Sequence, residues 1–90
     1  MSTTPVDPNA EDVLSETEYR DRLRELPPSA KLVAKVLEGD APLSQGQLAD
    51  ESLLPDRTVR YALNRLEEVG LVDSRYSFKD ARKQVYYLRA

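Results

Sequence analysis

The feature that most constrains the fold is a change of sequence pattern at Gly70. Before it, apolar residues recur three and four positions apart from Val59 to Val69. This is the period of a helix with one buried face, and glycine commonly ends such a helix. Beyond it, residues 71–78 and 84–88 are rich in Val, Tyr and Phe, and the polar segment 79–83 separates them. The sequence therefore predicts a helix over residues 56–69 followed directly by a β-hairpin.

Two helices are predicted near the start of the chain. Ser15-Glu16-Thr17-Glu18 fits the capping-box pattern, so a helix over residues 15–26 is expected to end before Pro27-Pro28. We expect Ser29 to cap a second helix that runs to Glu38 and stops at Gly39. Its buried face is predicted to contain four apolar residues, namely Leu32, Val33, Val36 and Leu37.

A third helix precedes the one over residues 56–69. Ser44-Gln45-Gly46-Gln47 is another capping box and predicts a helix over residues 45–52, after a very short strand at Leu43. Pro55 disfavours helix at the residue before it, and Asp56 is expected to cap the next helix. The predicted fold class is therefore α+β: a winged helix-turn-helix with a three-helix core, a C-terminal β-hairpin wing and an additional N-terminal helix.

Length and composition set the domain count and exclude most catalytic chemistry. Ninety residues support one small core, so we expect an acidic, disordered tail over residues 1–14 and one domain over residues 15–90. The chain has no cysteine and no histidine, which removes thiolate nucleophiles, imidazole bases and the usual zinc ligands. We expect no enzyme, no cofactor and no metal. Without a membrane-spanning apolar run or a signal peptide, the prediction is a soluble cytoplasmic protein with no membrane partner.

The charges are unevenly distributed along the chain. Net charge is −3, but residues 1–27 hold seven acids and three bases, whereas residues 57–90 hold eight bases and four acids. A basic C-terminal third favours a polyanionic partner, double-stranded DNA in particular. The acidic balance, with nine arginines against four lysines, resembles proteins of salt-loving archaea.

The C-terminal sequence resembles a known family of regulators. The run from Thr58 to Val72 is similar to the recognition helix and first wing strand of MarR- and ArsR-type winged-helix transcriptional regulators. The similarity extends back through residues 43–49 and forward through Asp80-Ala81-Arg82, so that it covers about residues 28–90. MarR-type proteins usually carry long flanking dimerisation helices. Metal sensing in ArsR-type proteins is built on Cys and His ligands, and this sequence has neither residue. The resemblance therefore implies the DNA-binding module alone, and it makes Arg82 the favoured residue for insertion into a minor groove, with Asp80 orienting it.

The exposed face of the helix over residues 56–69 supplies the candidate DNA contacts. Arginine and asparagine side chains can form paired hydrogen bonds with guanine and adenine, and helix starts can hold phosphates. The base-contact candidates are Arg57, Arg60, Tyr61 and Asn64; the backbone-contact candidates are Ser44, Gln45, Thr58 and Arg65; the wing candidates are Lys79, Arg82 and Lys83. The alternatives are a solvated helix face, simple helix caps, and a charged hairpin tip that prevents edge pairing.

Two questions remain open at this level. The first helix has a narrow apolar stripe of Tyr19, Leu23 and Leu26, which either forms a homodimer interface or covers the flank of its own domain. Likewise, a winged helix is either a sequence-specific DNA-binding regulator or a protein-protein interaction module in a transcription-related assembly. The basic residues on the helix face favour the regulator.

Overall fold

The computed structural model describes residues 14–89 and has the predicted order of helices and strands. The elements are α1 (Glu16–Arg24), α2 (Pro28–Gly39), β1 (Leu43–Ser44), α3 (Gln45–Ser52), α4 (Asp56–Glu68), β2 (Val72–Tyr76) and β3 (Gln84–Leu88). Helices α2, α3 and α4 with the β2–β3 hairpin form a winged helix-turn-helix, which confirms the predicted fold class. Within the described part of the chain, no helix has the length and apolar character needed to span a membrane.

Both predicted capping boxes are present. The Ser15 hydroxyl accepts a hydrogen bond from the Glu18 amide at 3.1 Å, and the Ser44 hydroxyl accepts one from the Gln47 amide at 3.2 Å. In each case the side chain three positions on bonds back to the amide of the serine. These reciprocal bonds satisfy amides that the first helical turn leaves unpaired.

The other two helices begin differently from the prediction. Pro27 and Pro55 occupy the N-cap positions of α2 and α4 in an extended conformation, and neither cap has a side-chain hydrogen bond. Their carbonyls accept the first helical bonds, so Ser29 and Asp56 lie inside the first turn and do not cap. The fixed φ of proline explains the difference, because it pre-sets the backbone for the start of a helix, which then begins without a polar cap.

The sheet has three antiparallel strands in the order β1-β3-β2. Leu43 of β1 pairs with Tyr86, and Val72 of β2 pairs with Leu88. Strand β2 is shorter than the predicted 71–78, because the Leu71 amide bonds the Leu66 carbonyl and so belongs to the end of α4. At the other end, residues 77 and 78 belong to the loop at the tip of the wing.

The core lies between the helices and one face of the sheet. Helix α2 packs against α4, and its buried residues are Ala30, Val33, Ala34 and Leu37. The buried face therefore includes Ala30 and Ala34, which the sequence did not predict, whereas Leu32 is 40 % exposed and is not part of it. Small side chains at positions 30 and 34 allow α2 to lie close to its neighbours in the core. The pattern of large apolar residues in the sequence did not predict this.

The stripe on α1 is also part of this core. Tyr19, Leu23 and Leu26 are 6 %, 7 % and 5 % exposed and pack in the same cluster as α2 and α4. They are therefore not available as the predicted dimer interface; they cover the flank of their own domain, the other of the two alternatives. Leu14, assigned to the tail, packs on this cluster and donates its amide to the Arg89 carbonyl at 2.9 Å. The rest of the predicted tail lies outside the described residues.

Candidate nucleic-acid interface

Helices α3 and α4 are joined by a tight turn that sets the orientation of α4. Leu53 ends α3 in the left-handed region at φ 62°, and the Leu54 amide donates to the Ser52 hydroxyl at 3.2 Å. The Gln45 side-chain amide donates to the Asp56 carbonyl at 3.3 Å, which links the first turn of α3 to the first turn of α4. The turn and this bond together fix α4 relative to the rest of the core.

Helix α4 has one buried and one exposed face. Val59, Ala62, Leu63 and Leu66 are at most 2 % exposed and anchor the helix to the core. The opposite face carries the four predicted base-contact residues: Arg57, Arg60, Tyr61 and Asn64, all exposed. They are spaced three and four positions apart, so they form one continuous stripe along the N-terminal two-thirds of the helix.

The C-terminal end of α4 is held by α1. The Arg22 guanidinium donates to the Val69 carbonyl at 2.8 Å, which satisfies one of the carbonyls that a helix end leaves unpaired. Gly70 then turns the chain into the wing at φ +75°, and a Cβ there would meet the Arg22 guanidinium at 3.2 Å. This confirms the predicted stop at Gly70 and gives α1 a positioning role that the sequence did not predict.

One side of α4 faces the wing. Burial, followed by the charge of Glu67, raises the pKa of Tyr86 on β3, and the nearby Arg60 partly lowers it. Burial and then the Asp73 carboxylate raise the pKa of Glu67. Arg60 and Glu67 therefore both lie near Tyr86, on the side of α4 that faces the hairpin, and the charged form of Glu67 is disfavoured there.

The predicted backbone contacts do not form one group. Ser44 is only 5 % exposed and its hydroxyl is used in the cap of α3, so its side chain is not on the surface as a phosphate contact requires. Gln45 and Thr58 are half-buried at the starts of α3 and α4. Arg65 forms a 3.3 Å ion pair with Glu68, and its Nε is buried without a hydrogen-bond partner.

The wing tip is a hydrogen-bonded loop with exposed cations. The Ser77 amide donates to the Lys83 carbonyl at 2.8 Å and closes the loop. The Asp80 carboxylate accepts a hydrogen bond from the Arg82 backbone amide at 3.0 Å. The same carboxylate oxygen lies 3.5 Å from the Nε of the Arg82 side chain. The Arg82 side chain is 94 % exposed, and Lys79 and Lys83 are exposed on either side of this pair.

Sequence reasoning missed three exposed apolar side chains. Leu53 is 88 % exposed in the turn before α4, and Tyr76 and Phe78 on the wing are 65 % and 96 % exposed. Phe78 was counted as the end of a strand because its type favours strands. The signal against that assignment is the polar residue on each side of it, which is typical of a loop.

The fold and this exposed helix-and-wing surface define a winged helix-turn-helix domain. The sequence matches the family described as winged helix-turn-helix DNA-binding over residues 34–73. This segment runs from the second half of α2 through the turn and α4 into the first wing strand. No curated protein sequence matches the chain.

Solved structures of transcription regulators have the same fold. A probable transcriptional regulator from Pseudomonas aeruginosa is 20 % identical with a TM-score of 0.70, covering 89 % of this chain and 59 % of its own. A MarR family transcription regulator is 19 % identical with a TM-score of 0.68, covering 80 % of this chain and 48 % of its own. MepR of S. aureus, solved as a DNA complex, is 18 % identical with a TM-score of 0.66, covering 81 % and 62 %. The chain spans about half the length of the regulators that it matches.

Proposed function

We propose that the chain binds double-stranded DNA sequence-specifically as a transcriptional regulator. In this proposal residues 56–69 occupy the major groove, and the wing, residues 78–84, contacts the flanking backbone or minor groove. The observation that carries it is the exposed stripe of Arg57, Arg60, Tyr61 and Asn64, which lies directly opposite the buried face of α4. A helix anchored on one face and rich in hydrogen-bond donors on the other is suited to contact base edges.

Each residue of the stripe has a distinct proposed role. Arg57 and Arg60 each have paired donors that match the O6 and N7 acceptors of guanine, and Asn64 can pair with adenine. Each such contact contributes about 1–3 kcal/mol of discrimination against the wrong base. Tyr61, half exposed, is placed to contact a thymine methyl or a phosphate.

The wing is proposed to hold the DNA beside the recognition site. Asp80 lies 3.5 Å from the Arg82 Nε, and we propose that it orients the guanidinium. A pre-oriented arginine suits a narrow minor groove, where the negative potential is strongest. Lys79 and Lys83 are proposed to contact phosphates, as are Gln45, Thr58 and Arg65 near α4.

We also propose that the regulator acts as a homodimer, because a single winged helix covers only a short half-site. The interface lies outside Tyr19, Leu23 and Leu26, since the core buries these three side chains. The ArsR-like resemblance remains a prediction from the sequence.

The proposal is tested by fluorescence anisotropy with the whole chain. A preferred duplex is first selected from a random-sequence DNA pool, and its affinity is compared with that of a scrambled duplex. Arg60→Ala is expected to lose about 5- to 150-fold in affinity for the preferred duplex and to lose discrimination at one base pair. Lys83→Ala is expected to weaken binding to both duplexes equally.

Arg20→Ala is the matched control for Arg60→Ala. Arg20 is an exposed arginine on α1 that pairs with Glu16 at 2.9 Å, so its loss is expected to leave DNA affinity unchanged. Equal, sequence-independent losses from Arg60→Ala and Lys83→Ala would contradict the assigned roles. No binding to any duplex would refute the proposal and favour the protein-protein interaction module.

We further propose that the protein works in a concentrated-salt cytoplasm, as its acidic, arginine-rich composition indicates. In molar salt the counterion-release contribution to phosphate contacts is small, so binding depends mainly on base and shape contacts. The preferred duplex is then expected to retain its advantage over the scrambled duplex in molar potassium chloride. A steep loss of that advantage as salt rises would contradict this part of the proposal.

A further inference from the structure

The wing tip carries the most exposed large apolar side chain of residues 14–89. Phe78 is 96 % exposed, although it lies in a hydrogen-bonded loop next to a strand. No core residue covers its ring. Its only ring contact among the described residues is with Arg75, whose guanidinium carbon lies 5.7 Å from the ring centroid.

The loop holds this ring in a defined place. Closure of the loop by Ser77 and Lys83 fixes the chain just before Phe78, and the Lys79 amide bonds the Ser77 hydroxyl at 3.2 Å just after it. The Arg75 guanidinium also lies 5.8 Å from the ring centroid of Tyr87, so it connects the Phe78 ring to the sheet. A ring whose backbone is already held on both sides loses less conformational entropy when it binds than a ring on an unconstrained chain.

The charges around Phe78 indicate the kind of partner. Lys79, Arg82 and Lys83 are all exposed on the same seven-residue loop, and only Asp80 opposes them. An apolar pocket on a protein would have to supply matching acids for these cations, whereas DNA has phosphates on both sides of each groove. Apolar wedges flanked by cations are a known means of entering the minor groove and separating two base pairs.

We propose that Phe78 inserts between adjacent base pairs from the minor groove and bends the DNA next to the site contacted by α4. This inference rests on the proposed function. Arg82 and the two lysines hold the groove, and the ring replaces part of the stacking that the separated base pairs lose. The wing then contributes to sequence preference, because base steps differ in how easily they unstack. Pyrimidine–purine steps unstack most easily, so the wing is expected to prefer them.

The test uses the duplex selected above, labelled in two ways. A donor and an acceptor dye at its ends report the bend by energy transfer, and 2-aminopurine placed at successive flanking positions reports unstacking by a rise in fluorescence. The wild-type chain is expected to change the energy transfer and to brighten 2-aminopurine at one step. Phe78→Ala is expected to remove the brightening and most of the bend, and to weaken binding by about 5- to 150-fold, as loss of one stacked base does.

Two further variants make the test specific. Phe78→Leu keeps an apolar wedge and is expected to keep most of the bend. Leu53→Ala removes an apolar side chain away from the wing that is 88 % exposed, against 96 % for Phe78, and is expected to change neither signal. Because Phe78 packs in no core, its variants are expected to unfold at the wild-type temperature. If Phe78→Ala binds and bends DNA as the wild type does, the wedge is refuted while the proposed function stands. If the wild type binds no duplex, the proposed function itself fails.

Discussion

Substitution of Leu23 tests whether the apolar stripe of α1 belongs to the core or to a dimer interface. The side chain is 7 % exposed and packs with Tyr19 and Leu26 against the rest of the core. Truncating a buried leucine to alanine costs about 2–5 kcal/mol. Because α1 covers the edge of the domain and its neighbours can move into the space, we expect about 2–3 kcal/mol for Leu23→Ala. A domain of this size has about 4–12 kcal/mol of stability in total, so the variant stays mostly folded and its stability is measurable.

Urea unfolding, followed by circular dichroism at several protein concentrations, measures this loss. Leu32→Ala is the matched control, because Leu32 is 40 % exposed and its truncation is expected to cost less than about 1 kcal/mol. Leu23→Glu would place a charge in the core and is expected to unfold the domain. The reasoning is refuted if Leu23→Ala leaves the unfolding free energy unchanged, or if Leu23→Glu yields a folded monomer from a wild-type dimer in analytical ultracentrifugation.

Three further predictions concern the surroundings of α4. Glu67→Gln removes a negative charge from the side of α4 that faces the hairpin and is expected to raise DNA affinity at neutral pH by up to about fivefold. Because burial and Asp73 raise the pKa of Glu67, wild-type affinity should approach that of the variant as pH falls in the window just above the usual glutamate pKa of about 4.3, and anisotropy across that window checks this. Arg22→Met removes the hydrogen bond to the Val69 carbonyl and should cost about 1 kcal/mol in urea unfolding, with no cost expected from Arg20→Met as control. Gly70→Ala should cost about 1–2 kcal/mol, because its φ of +75° disfavours any Cβ, and an unchanged melting temperature would contradict this.

The sequence predicted the order of elements because local signals agreed at each boundary. The serines of both capping boxes and Gly70 determine helix ends through bonds and angles within a few residues. The predictions that Ser29 and Asp56 cap helices were wrong, because Pro27 and Pro55 already occupy the N-cap positions. Local patterns of this kind need no knowledge of the tertiary fold.

What could not be predicted depends on distant contacts. The fate of the α1 stripe was undecided, since an apolar stripe looks the same whether it packs on its own domain or on another chain. The bond from Arg22 to Val69 joins residues 47 positions apart, and nothing in either segment indicates the other. The exposed stripe of α4 was predictable because a single helical period determines which of its residues share a face.

The position of α1 keeps its carboxylates away from the part of α4 that is proposed to contact DNA. Arg22 attaches α1, in which three acids are balanced by three arginines, to the C-terminal end of α4, whereas Arg57 and Arg60 lie in the N-terminal half of that helix. At 1.5 Å per residue, Arg60 and Arg57 lie roughly 14 and 18 Å along the helix from Val69, about twice the Debye length of about 8 Å in physiological salt. The repulsion between the acids of α1 and phosphates bound near Arg57 is therefore largely screened, while contacts at the stripe are made at close range. In molar salt the screening length falls to about 3 Å, so that the acids cost still less and direct contacts of α4 with the bases determine the choice of site.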